Sequence, residues 1–389
     1  MGLKPDATAE RLSSRLPEAT LGCPDHEIGR AALTLIGKQK GGLVHASVGF
    51  GLFAVLLGGV FQGTVLLPMK FTQRWQWENT WLCFSATAYL ITPWVLAFLL
   101  VSNFPHMLQD VSPHVLITTF SYGVGMGVGA LMMGVGYRYV GMAIAFAIVL
   151  GISSTIGTLV PLLVFAPDQI TKHQGLSVIA GIAIALVGTG VVSWAAWERD
   201  TKKKDADVAP TASEKATRNV AIGLALCITS GILSSCGNLG FAFAGEISQR
   251  AREMGAGPMG SSSATWTIIL LPVFLCNFSY SLYLLRKNHT TRLFLEAGTA
   301  HYWGLGILMG LDWMAGMAAY GAGALSLGKL ETSMGWILFV ASMIIVANVS
   351  GALAGEWKGS SPKTLGIMAA GIAILMIAIV VVGMAGGPT

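Results

Sequence analysis

The stretch Leu66–Trp81, LLPMKFTQRWQWENTW, decides how this chain is read. It separates two apolar runs. An uncharged run of roughly 25 residues, long enough to cross a bilayer, ends at Leu67, and a second begins near Asn79. Between them stand Pro68, Lys70, Arg74 and the cluster Trp75-Gln-Trp77-Glu78. Cations beside tryptophans at the end of an apolar span are what a membrane–water interface selects, because the indole sits at headgroup level and the cation reaches lipid phosphate. A generic interfacial belt accounts for the composition of this stretch but not for its spacing.

The rest of the composition agrees with a membrane reading. The chain has 389 residues, 53% of them hydrophobic and 11% charged, with a mean hydropathy of +0.66. Soluble domains carry about 25% charged residues. The 49 glycines suit close helix–helix approach in lipid, and a net charge of +5 reports loop orientation, not nucleic-acid binding. Cys23, Cys83, Cys227, Cys236 and Cys276 form no CxxC or Cys/His cluster, so neither a disulfide framework nor a metal site is expected.

Ten apolar runs follow a polar tail of residues 1–41, which carries no signal-peptide core and a short interfacial helix expected near Glu27–Ile36. They cover about 43–67, 79–101, 114–136, 140–166, 176–197, 220–245, 263–285, 302–326, 333–355 and 365–383. Each is long enough to span as a helix, and in lipid only helices or closed barrels satisfy the backbone. The expected class is therefore an all-α integral membrane protein with ten transmembrane helices. Runs three and four are separated by Tyr137-Arg138-Tyr139 alone, which reads as a tight hairpin. A basic, polar stretch at Glu198–Asn219 reads as a disordered linker and divides the helices five and five, residues 42–198 against 220–385. The pattern Gly134-x-Gly136-x4-Gly141 recurs as Gly321-x-Gly323-x4-Gly328 at the same place in the second half. Five helices is an odd number, so duplicated halves would be inverted repeats. Lys and Arg favour the loops after helices one, three, five, seven and nine, which puts the linker in the cytoplasm and both termini outside.

Asp312, in Met309-Gly-Leu-Asp-Trp-Met314, lies in the middle of run eight. A carboxylate at that depth costs a few kcal/mol or more and marks an ion or substrate path, or else a packing hydrogen bond. Helical spacing groups Asp312, Gly316 and Tyr320 on one face. Polar stripes could line a cavity: Ser230, Ser234 and Asn238; Ser154, Thr155 and Thr158 ahead of Pro161; and Gln62 one turn after Gly58. Hydroxyls and amides suit a neutral polyol, and Trp266, Trp313, Tyr320 and Trp336 could stack on a sugar face. Each of these has a plain alternative as helix–helix glue or filler. No phosphate-binding loop, HExxH or serine-triad pattern occurs, and the Gly123–Ala130 glycine string lies inside a span, where dinucleotide binding is excluded.

The spacing Pro68-Met-Lys70-x4-Trp75-x-Trp77-Glu78-Asn79-x-Trp81 resembles a signature of the L-rhamnose–proton symporter family, a branch of the drug/metabolite transporters. Tyr137-Arg-Tyr-Val-Gly-Met142, Gly157-Thr-Leu-x-Pro161 and Gly355-Glu-Trp-Lys-Gly359 resemble further family segments in the same order. The resemblance implies a drug/metabolite transporter fold and uptake of a small sugar with a proton by alternating access, without a cofactor or enzymatic step. The chain departs from it at Gly129-Ala130-Leu131, where rhamnose carriers show a polar N-x-N, and at Asp312, where they are apolar.

On this reading Asp312 is the proton-coupling group, and Gln62, Asn238, Trp266, Trp313 and Tyr320 bind substrate. Lys70, Trp75, Trp77, Glu78 and Arg138 form a gate or interface. The expected partners are a small sugar, protons and the lipid of the inner membrane, with a second copy or another membrane protein as a further candidate. Two alternatives stay open: a metabolite exporter or exchanger of the same fold (for an amino acid or a nucleotide-sugar), and a non-transporting membrane subunit that retains it.

Overall fold

The computed structural model describes residues 48–205, 214–328 and 331–385. The N-terminal tail, with its expected interfacial helix, and residues 206–213 of the linker lie outside the described residues. Every regular element among the described residues is helical. The long helices are α1 Val48–Phe71, α2 Trp77–Leu100, α3 Pro113–Val140, α4 Met142–Phe165 and α5 His173–Asp205 in the first half. In the second half α6 runs in three pieces, Glu214–Ser234, Cys236–Phe243 and Gly245–Glu253, followed by α7 Pro258–Lys287, α8 Ala300–Ala324, α9 Glu331–Leu353 and α10 Pro362–Ala385.

Nine of these helices, among the described residues, are long and apolar enough to cross a membrane. The helix at the expected eighth span, α8, is 25 residues long, but glycines, Tyr302, Trp303, Asp312 and Tyr320 make it less apolar than the others. Large apolar side chains point outward along the helices, among them Phe53, Leu99, Ile117, Val187 and Val380. Water would penalise such a surface and lipid accepts it. The chain is a multi-pass integral membrane protein.

Two sequence boundaries are corrected. The expected loop Tyr137–Tyr139 is helical, and the turn is the single residue Gly141, whose φ of +85° favours a residue without Cβ. The linker expected over Glu198–Asn219 is largely helix, since α5 continues to Asp205 and α6 begins at Glu214. Glu, Arg, Lys and Ala are good helix formers, so a helix that has left the membrane need not stop there.

Glycine sets how closely the helices pack. A Cβ at Gly129 of α3 would come 2.8 Å from the Ser234 amide nitrogen of α6, and one at Gly127 would meet Cys276 of α7 at 3.0 Å. On α8, a Cβ at Gly310 would meet Thr87 of α2 at 2.5 Å and one at Gly323 the Gly51 carbonyl of α1 at 2.7 Å. Helix α5 lies along α10, and α4 and α9 pack together near the centre. Several helices carry an interior proline or a break, α4 among them through Pro161. A π-helical segment, Ala86–Ile91, precedes Pro93 in α2, Pro272 lies inside α7, and α6 breaks at Ser235 and at Ala244. Proline removes a backbone donor, so these are places where a helix can bend.

Candidate functional site

The breaks in α6 isolate a short central piece that carries Asn238 and Phe241, both buried. Asn238 is fully buried and fully used. Its Nδ2 donates to the Gly157 carbonyl of α4 at 2.6 Å and lies 3.5 Å from the Thr332 carbonyl at the start of α9. Its Oδ1 accepts from the Tyr320 hydroxyl of α8. Aromatic rings close around this junction. Phe241 stacks on Trp266 with centroids 5.1 Å apart, and Tyr320 lies 4.9 Å from Phe339 and 5.4 Å from Trp336. Trp336 donates from Nε1 to the Ser153 carbonyl of α4 at 3.3 Å. Five helices, α4 and α6 to α9, thus meet in one polar-aromatic cluster whose side chains, among the described residues, are neutral.

Three polar atoms at this centre are buried without a hydrogen-bond partner among the described residues: Ser262 Oγ, Trp266 Nε1 and Thr158 Oγ1. Thr158 follows Gly157, and Ser262 faces Gly321, the neighbour of Tyr320. An unpaired buried hydroxyl or indole N–H costs about 1–3 kcal/mol. Several together, with no charged side chain beside them among the described residues, are what a ligand rich in neutral oxygen atoms would satisfy. Beside the cluster lies a cleft of about 570 Å³, lined by Pro161 and Phe165 of α4, Ala242 and Gly245 of α6, and Thr332 and Ser333 of α9. Thr332 links the two, lining the cleft while its carbonyl lies 3.5 Å from Asn238 Nδ2.

Of the expected substrate residues, Asn238, Trp266 and Tyr320 come together here. Trp313 does not. It is buried against Tyr89 of α2, with centroids 4.8 Å apart. Gln62 also lies elsewhere, with its Nε2 3.4 Å from the Met317 sulfur and its Oε1 buried without a partner. Ser230 serves packing, donating to the Gly129 carbonyl at 2.7 Å. That bond and the close approach at Gly129 explain why small residues occupy the place where a polar pair was expected. Sequence reading missed Phe241, Phe339 and Ser262. The signal for Ser262 was faint, one serine in a run of three.

Asp312 is separate from the cluster. It is half-buried where α8 meets α1, and its Oδ2 accepts from Thr64 Oγ1 at 3.0 Å. No cation pairs with it among the described residues. The expected gate residues share the opposite end from the cleft. Glu78 is the one acidic side chain in the buried interior among the described residues, and its Oε1 accepts from Asn288 Nδ2 at 2.9 Å and Thr290 Oγ1 at 2.8 Å. Trp75 is buried edge-on to Phe294, Tyr302 and Trp303 and donates to the Leu293 carbonyl at 3.0 Å. Trp77 stacks on Trp81 at 4.9 Å. Arg74 pairs with Glu296, and Lys70 with Glu356, whose other oxygen lies 3.7 Å from Arg199. Arg138 is exposed at the end of α3 and joins none of these contacts. The opening stretch is therefore a staple: it ties the α1–α2 connection to the segment between α7 and α8 and to the end of α9.

The long apolar helices make this a multi-pass membrane protein, and the buried polar-aromatic cluster where five of them meet is its candidate site for a small solute. Comparison with known proteins gives the family. The model of the L-rhamnose-proton symport protein family matches residues 44–387, and the chain belongs to that family. Among similar proteins are the L-rhamnose-proton symporters of Enterobacter sp. (strain 638), 24% identical over 87% of this chain and 98% of that protein, and of Escherichia coli O157:H7, at the same identity and coverage. The L-rhamnose-proton symporter of Klebsiella pneumoniae subsp. pneumoniae is 23% identical over the same share.

Proposed function

We propose that this protein is a secondary transporter of the inner membrane that takes up L-rhamnose or a closely similar neutral sugar together with a proton. The observation that carries this reading is the central cluster of Asn238, Trp266 and Tyr320, neutral among the described residues, with buried polar atoms at Ser262, Trp266 and Thr158 that have no hydrogen-bond partner among them. A carboxylate or phosphate ligand would need cations there, whereas a sugar needs hydroxyl partners and an aromatic face. The family's sugar and proton support the same reading.

Alternating access needs two related halves, and the packing supports them as ten spans in two inverted repeats of the drug/metabolite transporter type. Pairings recur when each helix is exchanged for the one five places on: α3 with α6 and α8 with α1, α3 with α7 and α8 with α2, α4 with α6 and α9 with α1. The recurring glycine pattern obeys the same exchange. Gly141 and Gly328 both take positive φ, +85° and +74°. Gly136 packs on α6, and Gly323 on α1. In this arrangement the staple of Lys70, Arg74 and Glu78 closes the cytoplasmic end, while the cleft at Pro161 and Thr332 faces outward with both termini. The conformation is then closed to the cytoplasm.

Asp312 is the proposed proton-coupling group. It lies at mid-helix depth, its hydrogen-bond partner Thr64 is neutral, and it joins α8 to α1, two elements that must move against each other. The test is external pH in a lightly buffered suspension of vesicles on adding L-rhamnose and then other sugars. Alkalinisation by one sugar is expected. Asp312→Asn should abolish it and the accumulation driven by a pH gradient, while leaving exchange of labelled sugar at equal pH. Normal accumulation by Asp312→Asn would refute the proton role. No pH change with any sugar would refute sugar symport.

A further inference from the structure

We propose that Ser262 is a specificity-determining residue, the group that reads one particular hydroxyl of the transported sugar. This rests on the sugar-transport reading above and adds a residue to it. The start of α7 is crowded with hydroxyls, Ser261, Ser262, Ser263, Thr265 and Thr267, all fully buried. Four of the five are occupied by main-chain carbonyls. Ser263 donates to Met259 at 2.8 Å, Thr265 to Ser261 at 3.3 Å, Thr267 to Ser263 at 2.8 Å, and Ser261 reaches Ala256 at 3.5 Å. This back-bonding is the usual way a buried helix hides a hydroxyl. Ser262 does not use it. Its Oγ is partnerless and turned to α8, where a Cβ on Gly321 would overlap it. Gly321 thus leaves the hydroxyl its space.

The surroundings specify what would fill the vacancy in its hydrogen bonding. That same Gly321 Cβ position is 3.1 Å from the edge of Phe241, and Phe241 stacks on Trp266. Trp266 follows Ser262 by one helical turn on the same face, and its Nε1, a donor only, is also partnerless. Two directed polar groups beside an aromatic platform fix both the position and the orientation of a small polyol. Ser262 can donate and accept, so it matches a hydroxyl and rejects a ligand that presents a methylene in its place. A site built to bond a hydroxyl discriminates strongly against an analogue lacking it, because its own polar group is left unpaired.

The test is binding of L-rhamnose and its single-deoxy analogues to purified wild-type, Ser262→Ala and Gly321→Ala proteins. Ser262→Ala removes one oxygen from a well-filled helix and should melt within a few degrees of wild type. It should bind L-rhamnose about tenfold more weakly, and it should bind one deoxy analogue no worse than wild type does. Gly321→Ala, whose Cβ would overlap this oxygen and press on Phe241, must shift the α7–α8 contact and is the disruptive control: it should weaken every sugar together. A merely structural serine would weaken every sugar by one factor, and that result would overturn the proposal, as would unchanged L-rhamnose binding by Ser262→Ala. If wild-type protein binds none of the sugars, the sugar reading fails and this assignment with it.

Discussion

Asn238 holds four helices through one side chain. It receives the Tyr320 hydroxyl from α8, donates to Gly157 of α4 and approaches Thr332 of α9. Removing it would leave the Gly157 carbonyl without its donor in a dry interior, at about 1–3 kcal/mol, and would take from the Tyr320 hydroxyl the oxygen it donates to. Tyr320→Phe is the gentler change. The ring keeps its contacts with Phe339, Trp336 and Phe241, and the Asn238 oxygen loses the hydroxyl that donates to it. The expected order of thermal stability in detergent is wild type, then Tyr320→Phe, then Asn238→Ala, with sugar binding lost in the last. Equal melting of the two variants would show that the hydrogen bonds of Asn238 are not what joins these helices. The face shared by Asp312, Gly316 and Tyr320 was legible as a spacing but not as a site. Each four-residue step rotates by about 40° on an α-helix, so two steps carry the face through about 80°. Asp312 therefore meets Thr64 and Gly316 meets Gly58, while Tyr320 reaches the cluster.

At the scale of the element, α1 packs on its neighbours through small residues. A Cβ at Gly59 would lie 2.5 Å from Ser342 Cβ and 2.8 Å from the Phe339 carbonyl of α9, and one at Gly58 would lie 2.7 Å from the Gly316 carbonyl of α8. Two serines of α9 reinforce the seam, Ser342 donating to the Leu56 carbonyl at 3.0 Å and Ser350 to Gly63 at 3.3 Å. Gly59→Leu should therefore separate α1 from α9 and lose folded protein on size-exclusion chromatography, whereas Gly49→Leu, which meets open space, should be tolerated. Recovery of Gly59→Leu as monodisperse, sugar-binding protein would show that α1 is not held through this glycine. Helix positions were legible because lipid demands long apolar runs, and that demand is written in composition. The breaks of α6, the π-segment before Pro93 and the continuation of α5 to Asp205 were not. The breaks and the π-segment depend on which neighbours take up freed backbone groups, a property of packing, while α5 runs on because helix-forming residues continue past the point where apolar composition ends. The Thr267 hydroxyl on the Pro93 carbonyl at 3.1 Å is one such neighbour.

At the scale of the whole molecule, the two ends are built differently. One end opens as the cleft beside Asn238. The other is held by ionic contacts that are individually weak. Lys70 and Glu356 are 35% and 42% exposed, and solvent screens such a pair to about 0–1 kcal/mol. Arg199 adds to it, better buried, 3.7 Å from Glu356 and 4.7 Å above the Trp357 ring. A network of this kind joins α1, α5 and the end of α9 firmly enough to bias one state and loosely enough to release it. A transporter needs that balance, since an end sealed by many kcal/mol would never open. Glu356→Gln removes the shared anion and should shift the population toward the state open at this end. Cys83 offers the readout. It is buried beneath this end, packed with Trp75 and Tyr302, with its thiol 3.5 Å from the Trp303 carbonyl. In a protein retaining Cys83 as its sole cysteine, Glu356→Gln should speed maleimide labelling of Cys83 several-fold. Added salt should accelerate labelling of the parent protein more than that of the variant, which has lost the pairs of Glu356 with Lys70 and Arg199 and keeps Arg74–Glu296 at this end. Identical labelling rates in parent and variant at low salt would mean that the aromatic packing of Trp75, and not the ionic network, keeps this end closed.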